Sequence, residues 1–161
     1  MRFDVIITGG GVVGIALALS LNRRGFHVAL VEKLSLSNGQ PVSDQKQVFM
    51  LNLASLEFLE EIGFMNQFPH ESVHDVFEIR VRGDKRGEVL FDSVRSGFPR
   101  LGVTIQKEDL VRVLRNLLLQ SEVTIFDEDS VSQVKWNASH VYVKLSKASI
   151  ISCNLMVAAD G

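Results

Sequence analysis

The chain has 161 residues, a formal net charge of −2, 46% hydrophobic and 22% charged residues, the balance of a globular protein with a core of its own. A nearly neutral chain with scattered Lys and Arg excludes a nucleic-acid surface, and a single cysteine, Cys153, excludes an internal disulfide. The apolar N-terminal run is broken by Asp4, by four glycines and by Arg23-Arg24, so it is neither a targeting segment nor a membrane span, and a cytoplasmic protein is expected.

Phe3 to Thr8 reads as a buried strand, Gly9 to Gly14 as a turn, and Val12 to Arg24 as a helix whose Ala16 and Ala18 permit close packing and whose stop is Gly25. His27 to Glu32 is a second apolar strand. Ser35 to Asp44 is a polar loop. Asn52 caps a helix to Ile62, with Leu53, Leu56, Leu59 and Ile62 inward, and Gly63 ends it. Val73 to Phe91 alternates around a turn at Gly83 to Gly87, the pattern of a hairpin. Val103 to Ile105 is a short strand. Lys107 to Gln120 is an amphipathic helix on Leu110, Val113, Leu114, Leu117 and Leu118. Val123 to Phe126 is another strand. Val131 to Trp136, Val141 to Leu145 and Ile150-Ile151 form an antiparallel meander in which Trp136 packs. Leu155 to Ala159 is a separate last strand. The fold class is α/β: a Rossmann-like parallel sheet with a β-meander and a small β-hairpin insertion.

The chemistry concentrates in Gly9-Gly10-Gly11-Val12-Val13-Gly14, a G-x-G-x-x-G that follows a strand, opens a helix and precedes an acid, Glu32, at the end of the next strand. Gly9 permits the tight turn, Gly11 lets a pyrophosphate approach the backbone, and Gly14 lets helix and strand pack closely. The first helical N–H groups then face the phosphates. Glu32 is placed to accept hydrogen bonds from both ribose hydroxyls and to disfavour a 2′-phosphate. These residues bind the ADP half that FAD and NAD share. The irregular course after the second strand favours FAD over the regular βα units of an NAD-binding oxidoreductase, which stays as an alternative. His70-Glu71-Ser72-Val73-His74 matches H-E-x-x-H, but Pro69 and an alternating strand deny it the helix that zinc ligation needs, and no metal is expected.

The stretch Asp4 to Lys33 resembles the start of the para-hydroxybenzoate hydroxylase-like flavin monooxygenases, and within them the ubiquinone-biosynthesis hydroxylases. Leu101 to Leu114 (LGVTIQKEDLVRVL) resembles the segment leading into that family's second FAD-contacting helix, and Leu155 to Gly161 (LMVAADG) its Asp-Gly fingerprint. The resemblance implies FAD as cofactor, NAD(P)H as reductant, and transfer of one oxygen atom from O₂ to an aromatic or quinone-precursor small molecule. It implies a cofactor-binding set of Gly9, Gly11, Val13, Gly14, Glu32, Lys33, Lys46, Gln106, Val131, Asp160 and Gly161. Among these, Lys46 stands nearest to a family arginine, Gln106 begins the second helix motif, the Val131 backbone lies near the adenine, and Asp160-Gly161 lie near the pyrophosphate. No side chain is implied as catalytic, since the flavin carries the chemistry. Residues 1–161 would form one FAD-binding domain, incomplete relative to the family, with 73–105 starting the substrate-domain insertion. Gln106-Lys107-Glu108 stands where the family has Glu-Asn-Arg, and the alternative this raises is a non-catalytic module that no longer binds flavin. Expected contacts are a peripheral one with the inner membrane or a protein complex, and a homo-oligomer formed through Leu118, Leu119 and the last strand.

Overall fold

The computed structural model describes residues 1–36, 47–68, 72–84 and 86–160. They divide into two units, Met1–Ser43 with Val111–Gly161, and Asp44–Leu110.

The first unit is built on β1 (Arg2–Thr8), a helix α1 (Val12–Arg23) and β2 (Val28–Val31). Every residue of β2 is buried, as are Ile6 and Ile7 of β1, because parallel strands covered on both faces need continuous apolar runs. α1 presents Gly14, Ile15, Ala16, Ala18 and Leu19 as buried positions. Gly25, at φ 85°, ends the helix in the left-handed region, with its N–H donated to the Asn22 carbonyl at 2.9 Å.

The two strands expected at Ile150-Ile151 and Leu155 to Ala159 are one. β11 (Ile150–Ala158) runs without a break through Ser152 and Asn154, because its residues pair with β1 from Arg2↔Ser152 to Thr8↔Ala158. With β8 (Thr124–Phe126), β9 (Val131–Trp136) and β10 (Val141–Leu145) this gives a six-stranded mixed sheet of order β8-β2-β1-β11-β10-β9. The β8-β2-β1-β11 part is parallel, and β10 and β9 continue it antiparallel. Both edges of the last strand are therefore paired, by β1 and β10, while its Ile150 and Leu155 stay exposed. Trp136 is 76% exposed instead of packed, because it closes the edge strand β9. Cys153 is fully buried in a cluster with Phe3, Ile6, Ala29, Val143 and Leu145, and burial pushes its thiol pKa up.

The second unit holds β3 (Val48–Asn52), the helix α2 (Leu53–Glu61), a short 3₁₀ turn (Phe64–Asn66), β4 (His74–Val76), β5 (Glu78–Arg82), β6 (Glu88–Asp92) and β7 (Gly102–Gln106). Asn52 caps α2 by accepting the Ser55 N–H at 2.9 Å. Leu59 and Ile62 are buried, whereas Leu53 and Leu56 are half-buried. The expected hairpin is narrower than its sequence pattern: β5 and β6 pair with each other, but β4 leaves them and pairs with β7, whose other neighbour is β3. β3 had no clear signature because its residues alternate poorly and stay largely exposed.

The amphipathic helix α3 (Lys107–Leu119) runs across the division between the units. Leu118 is buried and only Leu119, 59% exposed, remains at the surface of the pair expected to meet another copy. Among the described residues no helix is long and apolar enough to cross a membrane.

Candidate functional site

β1 ends at Thr8 between its parallel neighbours β2 and β11, so the turn that follows emerges at the carboxyl edge of three strands. This is where open α/β sheets bind ligands. Gly9 donates its N–H to the Val31 carbonyl at 2.9 Å, and Ala159 donates to the Thr8 carbonyl at 2.8 Å. Gly9 sits at φ 105°, and a Cβ there would meet Ala159 at 2.6 Å and the Asp160 nitrogen at 2.7 Å. Both conformation and space thus require glycine. Asp160, exposed, lies against the turn through its backbone.

Gly14 is held more tightly still. A Cβ on it would overlap the Gly9 carbonyl oxygen and stand 3.1 Å from the carbonyl carbon. Gly11 is the opposite case: no described residue lies within 4 Å of where its Cβ would be. It is the N-cap of α1, no side chain caps that end, and no acid occupies the first turn. Among the described residues the leading N–H groups of the helix thus have no capping side chain, with the positive end of its dipole behind them. Val13, 71% exposed, stands on the same first turn.

Glu32 follows β2, and its carboxylate is anchored at both oxygens. Oε2 accepts the Gly10 N–H, and Oε1 accepts the Leu34 N–H at 2.7 Å. A carboxylate oxygen can accept more than one hydrogen bond, so each retains capacity for a hydroxyl. A Cβ on Gly10, the variable position of the motif, would come within 2.8 Å of Oε2 and 2.9 Å of the Glu32 Cγ, so it would press on the acid rather than on a phosphate. Lys33 beside it is exposed.

The structure thus gathers Gly9, Gly11, Val13, Gly14, Glu32, Lys33 and Asp160 at one end of β1 and β2. Val131 opens β9, two residues beyond Asp129, whose N–H is donated to the Glu32 carbonyl at 2.9 Å. Gln106 ends β7 in the second unit, paired with Val48. Lys46, Gly161 and the His70-Glu71 part of the H-E-x-x-H match lie outside the described residues, and His74 falls in β4. Among the described residues no group of side chains is arranged to hold a metal ion.

The family profile of the FAD binding domain matches residues 2–161. The chain belongs to this FAD-binding-domain family. It is 24% identical to the ubiquinone hydroxylase UbiM of Neisseria meningitidis, over 99% of this chain and 36% of that protein. It is 24% identical to the 3-demethoxyubiquinol 3-hydroxylase of Escherichia coli, over 98% of this chain and 41% of that protein. The chain therefore spans well under half the length of these relatives. Among solved structures it is similar to PqsL of Pseudomonas aeruginosa in complex with 2-aminobenzoylacetate, with a TM-score of 0.78 and 22% identity over 100% of this chain and 43% of that one, a likeness of fold.

The residues present fit the ADP half of FAD. An uncapped helix N-terminus beside a glycine with clear space above it suits a diphosphate, and an anchored carboxylate suits a ribose diol.

The FAD-binding domain carries a second acid that the motif does not include. Asp129 is 5% exposed, and its Oδ1 accepts the Ser130 N–H at 2.8 Å, the Ser146 hydroxyl at 2.5 Å and the Lys147 N–H at 3.1 Å. Burial works against its charged form, but the Ser146 hydroxyl and the surrounding backbone N–H groups outweigh it and hold the carboxyl below its ordinary pKa. The only signal for it in the sequence is the acidic run Asp127-Glu128-Asp129 ahead of a strand, which reads as an ordinary turn. A lowered folded pKa means that the unfolded chain takes up the proton first as pH falls. The stability due to the Asp129 charge is therefore fully present above the unfolded value, about 4, and lost as pH falls through the lower folded value. The difference in Tm between wild type and Asp129→Asn is expected to be largest near neutrality and to shrink below about pH 4. Thermal unfolding across a pH series checks this, and a constant difference down to pH 3 would count against a role for the charge.

Proposed function

We propose that this chain is the FAD-binding portion of a flavin-dependent monooxygenase that hydroxylates an aromatic or quinone-precursor substrate with NAD(P)H and O₂. The observation that carries the reading is the clear space at Gly11, at the uncapped start of α1, beside a carboxylate held at both oxygens. Gly9, Gly11 and Gly14 with the first-turn N–H groups, including that of Val13, hold the pyrophosphate. Glu32 grips the adenosine ribose, with Lys33 at its side, and the Val131 backbone borders the adenine. Asp160 borders the pyrophosphate, and Gly161, Lys46 and Gln106 complete the cofactor-binding set by resemblance to the family.

FAD, when bound, supplies the redox chemistry. The chain's own part is to orient it by its ADP end and to leave the carboxyl edge of the sheet free for it. Residues 1–161 form the FAD-binding domain in part, and 73–105 begin a substrate-domain insertion. The second unit, in which that segment lies, supports this division. The substrate is a small aromatic molecule. Peripheral contact with the inner membrane and a homo-oligomeric state complete the reading, supported by the ubiquinone hydroxylases among the relatives and by the exposed Phe77, Val81, Val89 and Phe91 of the second unit.

The test is titration of the purified chain with FAD and with ADP, followed by calorimetry and flavin fluorescence. Both ligands are expected to bind at one shared site. Glu32→Ala is expected to weaken each by about 10- to 100-fold, the worth of one or two hydrogen bonds to a charged acceptor. Absence of binding by either ligand to the folded wild type would remove the reading.

A further inference from the structure

Glu32 can grip a ribose only if its backbone is held where its carboxylate meets the glycine turn, and β2 ends one residue before it. Two hydrogen bonds from outside β2 do the holding: Glu32 donates its N–H to the Phe126 carbonyl at 3.0 Å, and its carbonyl accepts the Asp129 N–H at 2.9 Å. Both partners belong to β8 and the turn after it. That turn is not relaxed by itself. Glu128 has φ 53°, a conformation that non-glycine residues adopt at a cost of about 1–2 kcal/mol. The turn between β10 and β11 is similar, with Ala148 at φ 69°.

Asp129 ties these two strained turns together. Its buried carboxylate accepts from Ser130 in one and from Ser146 and Lys147 in the other. The Ser146 N–H donates to the Ser130 carbonyl at 2.8 Å, and Lys147 Nζ donates to the Asp127 carbonyl at 3.1 Å. Asp127 Oδ1 in turn accepts the Leu36 N–H at 2.9 Å, fixing the chain just beyond Glu32. Strain that persists is held by surroundings that over-determine it, and here the surroundings converge on the carboxylate of Asp129, whose backbone N–H is donated to the Glu32 carbonyl.

We propose that Asp129 is a positioning residue for the dinucleotide site: through its own N–H and the two turns it locks, it sets the place from which Glu32 accepts the ribose hydroxyls. This rests on the reading of Glu32 given above. The experiment measures ADP and 2′,3′-dideoxy-ADP by calorimetry, because their ratio isolates the hydroxyl contacts from the phosphate contacts. The wild type is expected to prefer ADP by about tenfold or more. In Asp129→Ala the ratio is expected to fall towards one, with dideoxy-ADP affinity little changed, while Asp129→Asn, which keeps an acceptor oxygen in place, restores most of the preference. If Asp129→Ala does not fold, Ser146→Ala provides the milder variant, with a ratio intermediate between wild type and one. An unchanged ratio in Asp129→Ala, or in Ser146→Ala where that variant is needed, alongside a lowered Tm would show a structural role only and overturn the inference. A wild type that binds ADP without preferring it over the dideoxy analogue would overturn the inference together with the role of Glu32, and leave the phosphate contacts standing.

Discussion

Gly14→Ala is expected to lower the thermal midpoint by about 10 °C or more, or to prevent folding. The added Cβ would overlap the Gly9 carbonyl oxygen, stand 3.1 Å from the carbonyl carbon, and lie 3.5 Å from the Ala159 side chain. None of these is the free end of a flexible side chain. The Gly9 backbone is itself tied to β2 through its N–H to Val31 and wedged against Ala159 and Asp160. Relief would require α1 to lift from the ends of β1 and β11, where Ile15, Ala16, Ala18 and Leu19 are buried. Overpacking costs about 1–3 kcal/mol where side chains can give, and more where backbone opposes backbone. For a chain of this size each kcal/mol shifts Tm by about 2–4 °C. Thermal unfolding followed by circular dichroism decides it, and a midpoint within about 2 °C of wild type would mean that α1 sits further from the turn than described.

Gly11→Ala should behave in the opposite way, leaving the fold and removing the ligand. Its backbone, φ −75° and ψ −177°, is extended and open to any L residue, and no described residue lies within 4 Å of the new Cβ. The one cost is that alanine caps a helix less well than glycine, about 1 kcal/mol or less. The methyl group would, however, occupy the space through which a diphosphate reaches the first-turn N–H groups. We expect affinity for ADP and for FAD to fall by about 100-fold, equivalent to about 2.7 kcal/mol. Unfolding and ligand titration on the same preparation separate the outcomes. A stable Gly11→Ala variant that binds ADP as the wild type does would place the diphosphate elsewhere. The two glycines, three residues apart, thus test packing and binding independently.

Much of the first unit was legible because its signals are local. A continuous β-branched run, a glycine turn and small residues on a helix specify strand, turn and helix without reference to the rest of the chain. The acid at position 32 could be assigned to the site because it follows the second strand directly. What failed did so where neighbours decide. Ser152 and Asn154 looked like a break between two strands, yet pairing with β1 carries β11 through them. Trp136 looked like packing, but its strand is the last of the sheet and leaves it at the edge. Leu118 looked exposed but is buried within the chain, while both edges of the final strand are paired and its Ile150 and Leu155 stay exposed. Asp129 was missed because an acidic turn ahead of a strand is ordinary until the turn opposite it is known.

Sequence alone determined the strand, glycine turn and helix of the first unit and the acid after its second strand, since the absence of a Cβ at three spaced positions and a carboxylate one strand later are properties of the residues themselves. Tertiary structure decided what surrounds that turn. Parallel pairing of β11 with β1 brings Ala159 and Asp160 against Gly9, and pairing of β8 with β2 brings Asp129 to Glu32. The reason is that strand order and register are set by burial and hydrogen bonding between segments far apart in the chain, for which no local pattern of residues is a sufficient sign.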